Sequence, residues 1–285
     1  MNYVNCKLCP RVCGIDRTQG KLGYCKAPAT ALVSKSMLHP WEEPVLSPNG
    51  KSGAIFFGGC NLGCTYCQNY AISRTPCGIE MDGIALRGEM EKLIAQGAEN
   101  IDLVSPTPYL PTVLEALAED LPVPVVYNTG GYERTEAIQA LKGKVDIYLP
   151  DLKYGDNALA KALSAANDYF DVATAAIREM AAQVGAPVFQ GDRLIKGVVI
   201  RHLILPGQIE NSLKVLDWIG DTFAPGQVLV SLMRQYTPIA GMKPPFNRPV
   251  TEDEYEAVLS WMYLNDIEGF TQEATSSGTN YIPDF

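Results

Sequence analysis

The tract Gly58-Gly59-Cys60-Asn61-Leu62-Gly63-Cys64-Thr65-Tyr66-Cys67 follows directly on the apolar run Ala54-Ile55-Phe56-Phe57, and this junction decides the fold. A short β-branched and aromatic run reads as a buried strand. Glycines just past its end let the backbone fold tightly around a bulky inorganic group. The C-x3-C-x2-C spacing gives two readings. Three thiolates can bind three irons of a cubane cluster and leave the fourth iron open, or, with Cys77 added, they can close a structural zinc site. The other cysteines, Cys6, Cys9, Cys13 and Cys25, form a C-x2-C-x3-C-x11-C array, a complete four-thiolate set for zinc or for an auxiliary Fe-S cluster. All eight cysteines lie in the first 77 of 285 residues. A chain of this size builds its core without disulfides, so metal ligation in a reducing compartment is the expectation.

Outward from the cysteine tract, apolar runs alternate with helical spacing. Strands are expected at Ala54–Phe57, Ile101–Ser105, Val123–Tyr127, Val145–Leu149, Val198–Leu205 and Gln227–Met233. Helices are expected at Met81–Gln96, Leu110–Leu117, Glu133–Leu141, Asn157–Val184, Ile209–Trp218 and Glu252–Leu264. Six βα units with near-continuous apolar strands imply an α/β fold with a parallel sheet, either a barrel three-quarters closed or an open doubly wound sheet. In both, ligands bind at the carboxyl ends of the strands. The residues to watch are therefore Ser105 and Thr107 after the second strand, Asn128 after the third, Asp151 and Lys153 after the fourth, Arg201 on the fifth, and Gln235 and Tyr236 after the sixth. Arg201 alternates with apolar residues and points into a barrel, where it needs an anionic partner. His202 then points the other way, as a packing histidine.

The length suits one large core plus a small annex, with residues 1–50 as a cysteine-rich annex and linker and residues 51–285 as the main body. The Pro- and Gly-containing segment Ala27–Lys51 reads as that linker. Ordinary composition excludes disordered, collagenous and fibrous classes. No apolar run approaches a membrane span and Met1–Cys13 lack a signal-peptide core, so a cytoplasmic protein with no membrane partner is expected. A net charge of −9 argues against nucleic acid. Residues 1–36 run against that charge, with Lys7, Arg11, Arg17, Lys21, Lys26 and Lys35 opposing Asp16 alone. Those six cations suit either the thiolates of the annex or an acidic electron donor.

The Cys60–Cys67 tract resembles the radical S-adenosylmethionine (SAM) superfamily, whose motif is C-x3-C-x-aromatic-C after the first strand of a partial (β/α)6 barrel. A closer resemblance covers nearly the whole chain. Cys6–Cys25, His39–Pro44 (HPWEEP), Phe56–Tyr70, Val126–Tyr132, Val145–Tyr154, Arg201–Gly207 and the tail Tyr281–Phe285 look like the PflX-type proteins, similar to pyruvate formate-lyase activating enzyme. The resemblance implies a [4Fe-4S] cluster on Cys60, Cys64 and Cys67 that, once reduced, cleaves SAM to methionine and a 5'-deoxyadenosyl radical that abstracts a substrate hydrogen. It implies a flavodoxin or ferredoxin donor and a glycyl radical enzyme as the protein activated. A radical SAM enzyme acting on a small molecule or peptide, and a zinc-binding scaffold without redox activity, are the alternatives.

By the same resemblance, the Tyr66 backbone lies against adenine and Asp151 and Lys153 reproduce an Asp-x-Lys that faces SAM. Asn128 stands where a carboxylate is usual. Ser105 and Thr107 replace a Gly-Gly-Glu segment that meets the methionine amine. The SAM carboxylate would partner Arg201, and Gln235 and Tyr236 stand at a SAM-contacting position. His39, beside Glu42 and Glu43, has no assigned role.

Overall fold

The parallel strands follow one another through space in chain order, and that order fixes the architecture. The structure, a computed structural model, describes residues 1–272; the tail Tyr281–Phe285 lies outside them. Its elements are β1 (Ala31–His39), β2 (Ser52–Phe57), α1 (Tyr70–Arg74), β3 (Ile79–Met81), α2 (Gly83–Ala95), β4 (Asn100–Val104), α3 (Leu110–Ala116), β5 (Val125–Thr129), α4 (Thr135–Ala140), β6 (Ile147–Pro150), α5 (Asn157–Ser164), α6 (Tyr169–Val184), β7 (Val188–Gln190), β8 (Arg193–Leu203), α7 (Ile209–Thr222), β9 (Leu229–Met233), α8 (Glu252–Leu264) and β10 (Gly269–Thr271). The sheet runs β10-β9-β8-β6-β5-β4-β2-β1-β3, with β7 hairpinned onto β8. The six expected strands are β2, β4, β5, β6, β8 and β9, each parallel to the next. A doubly wound sheet would reverse direction at a switch point. This sheet does not, so it is an unclosed partial barrel.

Strand alternation separates two faces. Ile55, Phe57, Ile101, Leu103, Tyr127, Tyr148, Val198, Ile200 and Val230 pack outward with the helices in the main core. Val126, Ile147, Leu149, Val199 and Leu229 face the barrel interior, where Val45 and Leu46 join them. One step further along the same strands, the interior positions turn polar: Asn128, Asp151, Arg201 and Ser231. The barrel thus has an apolar floor and a polar mouth.

Three expectations change. The segment Ala27–Lys51, read as a linker, contains the nine-residue β1, antiparallel to β2 with His39 opposite Ser52. Its connection to β2 folds into the barrel, and the Leu194 amide donates to the Val45 carbonyl at 2.7 Å. The helix expected over Asn157–Val184 is two helices: Asp156 caps α5, whose chain turns at Ala165 with φ 51°, and α6 restarts at Tyr169. The strand expected from Val198 begins at Arg193 because β7 pairs with its first residues.

Candidate active site

A cavity of about 670 Å³ opens at the carboxyl ends of the strands. Cys60, Cys64 and Cys67 all line it, carried there by the loop that leaves β2. Close packing forces the glycines of this loop. Gly59 has φ 87°, and a Cβ there would meet the Cys25 carbonyl at 2.7 Å, while one on Gly63 would collide with the Tyr24 hydroxyl. The amino-terminal annex therefore packs directly on the cysteine loop.

Each of the three sulfurs has a hydrogen-bond partner: the Leu62 amide donates to Cys60 at 3.4 Å, the Ser164 hydroxyl donates to Cys64 at 2.9 Å, and the Ser73 hydroxyl lies 3.4 Å from Cys67. Donors aimed at sulfur are what thiolate ligands need from their surroundings. Burial pushes the Cys60 thiol up to about 12, with Cys64 and Cys67 adding to the rise, so ionising Cys60 there requires a positive partner. A [4Fe-4S] cluster on Cys60, Cys64 and Cys67 fits this donor set. No three His, Cys, Asp or Glu side chains among the described residues converge on a single metal ion. A cubane takes one thiolate per iron and spreads its ligands wider than one ion does.

In the annex, Cys6, Cys9 and Cys25 are buried and Cys13 is half-buried. Burial first, and then the neighbouring thiols, raise Cys9 and Cys25. A Cβ at Gly23 would lie 2.9 Å from Cys13 Sγ. Two of the six expected surface cations are used internally. Arg11 donates to the Asn61 carbonyl at 2.9 Å and to the Ser164 carbonyl at 3.3 Å, with its guanidinium 3.8 Å over the Tyr24 ring. Arg17 is buried, donating to the Pro108 carbonyl at 2.5 Å. These arginines staple the annex to the barrel, which leaves fewer charges for a docking partner.

Across the cavity the polar mouth forms one ion network. Asp151 accepts from Lys153 Nζ at 2.5 Å and from Arg201 Nε at 2.8 Å. Arg201 also donates to Asn128 Oδ1 at 2.6 Å and lies 3.8 Å from Glu42. Burial opposes the Arg201 charge, but Asp151, Glu42, Glu43 and Asp102 outweigh it and hold the guanidinium firmly protonated. Among the described residues the anionic partners of Arg201 are the chain's own carboxylates, and Arg201 lines the cavity beside Asp151 and Lys153. Lys153 is likewise held charged against burial by Asp151 and Cys64.

Of the other expected residues, Tyr66, Ser105 and Gln235 line the cavity together with Asn128, Asp151, Lys153 and Arg201. Thr107 and Tyr236 do not. Thr107 is buried in a single helical turn, and its hydroxyl donates to the Glu133 carboxylate. Tyr236 is a packing residue whose hydroxyl donates to the Phe246 carbonyl at 2.8 Å. Cys77 is exposed and outside the cavity wall.

Sequence reasoning missed the role of HPWEEP. The β1–β2 connection plugs the barrel and brings His39, Glu42 and Glu43 into the cavity wall. Glu43 accepts from Ser231 at 3.0 Å, and burial raises it to about 7. Asp102, fully buried on β4, is pushed well up by burial and by Glu42. It accepts from Asn128 at 3.2 Å. A charged residue inside an otherwise apolar strand was the signal for Asp102.

His202 faces the helices, with Nδ1 2.7 Å from the Leu152 carbonyl and Nε2 2.9 Å from Ser212. Burial lowers it to about 4. The unfolded chain then binds a proton near pH 6.5 that the folded chain refuses, so stability is lost as pH falls from about 6.5 to 4. The shift corresponds to about 3 kcal/mol. His202→Gln should destabilise the protein at pH 7.5. Its Tm deficit relative to wild type should shrink by the equivalent of that amount at pH 4.5. A deficit independent of pH would contradict the assignment.

Comparison with known proteins agrees with this geometry. An α/β partial barrel with a thiol-bearing loop after its first parallel strand is the class of protein that fold and site define. The Radical SAM superfamily model matches residues 54–219, more than half of the chain, and the chain belongs to that superfamily, whose cofactors are a [4Fe-4S] cluster and SAM. An uncharacterized protein of Methanocaldococcus jannaschii is 32% identical over 271 residues, covering 90% of this chain and 74% of the relative. Among solved structures, a radical SAM methyltransferase from Sphaerobacter thermophilus superimposes with a TM-score of 0.54 at 14% identity, over 78% of this chain and 66% of that one. Streptococcus suis SuiB bound to S-adenosylmethionine gives 0.52 at 12% identity, over 75% and 48%. The chain therefore spans less than two thirds of either structure. No helix among the described residues is long and apolar enough to cross a membrane.

Proposed function

We propose that this protein is a PflX-type, activating-enzyme-like radical SAM oxidoreductase that uses SAM cleavage to abstract a hydrogen atom from a protein substrate, a glycyl radical enzyme. The observation that carries the reading is the convergence of Cys60, Cys64 and Cys67 with Asp151 and Lys153 on one cavity at the strand ends. The cluster, when bound, supplies the electron that splits the SAM sulfonium. The chain's residues hold the rest: Asp151 accepts from ribose hydroxyls, Lys153 pairs with the methionine carboxylate, and Asn128 and Ser105 offer polar atoms at neighbouring strand ends. Cys6, Cys9, Cys13 and Cys25 hold an auxiliary Fe-S cluster, or zinc once the four thiols close in on one ion, and a cytoplasmic flavodoxin or ferredoxin is the electron donor. The unclosed sheet, with β3 and β10 at its edges, supports entry of a protein loop.

The test is anaerobic co-incubation with candidate glycyl radical enzymes, SAM and reduced flavodoxin, read by electron paramagnetic resonance. A doublet from a backbone glycyl radical is expected with one partner. SAM cleavage with no glycyl signal from any partner would replace this reading with one in which the substrate is a small molecule or peptide.

A further inference from the structure

Tyr66 on the cysteine loop, Tyr154 after β6 and Ser164 at the end of α5 are far apart in sequence, yet they form one continuous chain of hydroxyls ending on a sulfur. The Tyr66 hydroxyl lies 2.8 Å from that of Tyr154. Tyr154 lies 2.5 Å from Ser164 Oγ, which lies 2.9 Å from Cys64 Sγ. All three hydroxyl residues are buried. Each hydroxyl has one proton to donate, and an iron-bound thiolate has none. Ser164 must therefore donate to Cys64, Tyr154 to Ser164 and Tyr66 to Tyr154, so the whole chain points one way. Hydrogen bonds aligned in a low-dielectric interior strengthen one another.

Ser164 is also held in place. Its carbonyl accepts from the Gly63 amide at 3.3 Å and that of Leu163 from the Thr65 amide at 2.8 Å, so α5 is clipped to the cysteine loop on both sides of Cys64. Arg11 of the annex donates to the same Ser164 carbonyl. Among the described residues Cys60 and Cys67 have no comparable chain: Cys60 accepts from the Leu62 amide at 3.4 Å and lies 3.9 Å from Asn61 Oδ1, and Cys67 lies 3.4 Å from the Ser73 hydroxyl.

We propose that Ser164 and Tyr154 are positioning residues that set the reduction potential of the active-site cluster through Cys64. Reduction adds negative charge that is shared with the cluster's sulfur ligands, and donors to those ligands favour the reduced state. The chain therefore raises the potential and brings the cluster within reach of a biological donor. This inference rests on the reading that Cys60, Cys64 and Cys67 hold a [4Fe-4S] cluster.

The experiment is a redox titration of anaerobically reconstituted wild type, Ser164→Ala and Tyr154→Phe, monitored by electron paramagnetic resonance of the reduced cluster. At equal iron content, both variants should have lower midpoints than wild type, with Ser164→Ala the lower of the two. Tyr154→Phe keeps the ring and its packing, so a purely structural role would leave its midpoint in place. Should Ser164→Ala not assemble a cluster, Tyr154→Phe decides alone. Wild-type midpoints in the variants that load a cluster would overturn the proposal and leave the cluster reading intact. A wild-type protein that assembles no redox-active cluster would overturn both.

Discussion

Cys64→Ala should abolish SAM cleavage and remove the iron, sulfide and absorbance that belong to the active-site cluster, while Cys77→Ala should leave both close to wild type. The two cysteines are 13 positions apart but stand in different surroundings. Cys64 lines the cavity with Cys60 and Cys67, and its sulfur accepts from Ser164. A cubane held by three thiolates has no spare ligand, so one deletion removes a bond that nothing in the wall replaces. Cys77 is exposed, and its carbonyl accepts from the Ser34 hydroxyl at 2.5 Å. Iron and sulfide analysis alongside cleavage assays checks both variants. Equal loss in Cys77→Ala would mean that the fourth thiol belongs to the site and would favour a closed four-thiolate centre.

Arg201→Met should cost about 3–5 kcal/mol of stability, as expected when one partner of a buried ion network is removed. Asp151 and Glu42 face this guanidinium directly, while burial holds Glu43 at about 7 and Asp102 well up, so the first two lose most when the guanidinium is removed. The loss should appear as poor soluble expression and a Tm well below wild type. Glu42→Gln in the same chain should recover part of it, because Glu42, 3.8 Å from the guanidinium, is no longer left without its counter-charge. A double variant no more stable than Arg201→Met would show that the cost lies in lost packing of the Arg201 stem rather than in charge.

The parallel strands were legible because both faces of each are buried, which leaves apolar runs such as Ile147–Leu149 that need no partner to be recognised. The inward turn of Arg201 was legible from alternation alone. β1 was not legible. Ser34, Lys35 and Ser36 interrupt its apolar positions, as suits a half-buried antiparallel strand, and prolines and glycines flank it. The plug was invisible for a different reason: Glu43 meets Ser231 across 188 residues, and no local pattern encodes such a meeting. Asp151 directly follows β6, Asn128 is the next-to-last residue of β5 and Lys153 lies three residues past β6, so the rule that ligands bind at strand ends reaches them. Thr107 lies the same three residues past β4, but there the chain has already entered a buried helical turn that points its hydroxyl at Glu133, and the rule does not reach it. Ser164 escaped notice because a serine inside a helical pattern carries no signal of the sulfur beside it.

The most direct test of the central claim is to reconstitute the protein anaerobically with iron and sulfide, reduce it with dithionite in the presence of SAM, and quantify the products by chromatography. Methionine and 5'-deoxyadenosine are expected in equal amounts. Intact SAM in a sample that has bound only zinc would contradict the claim.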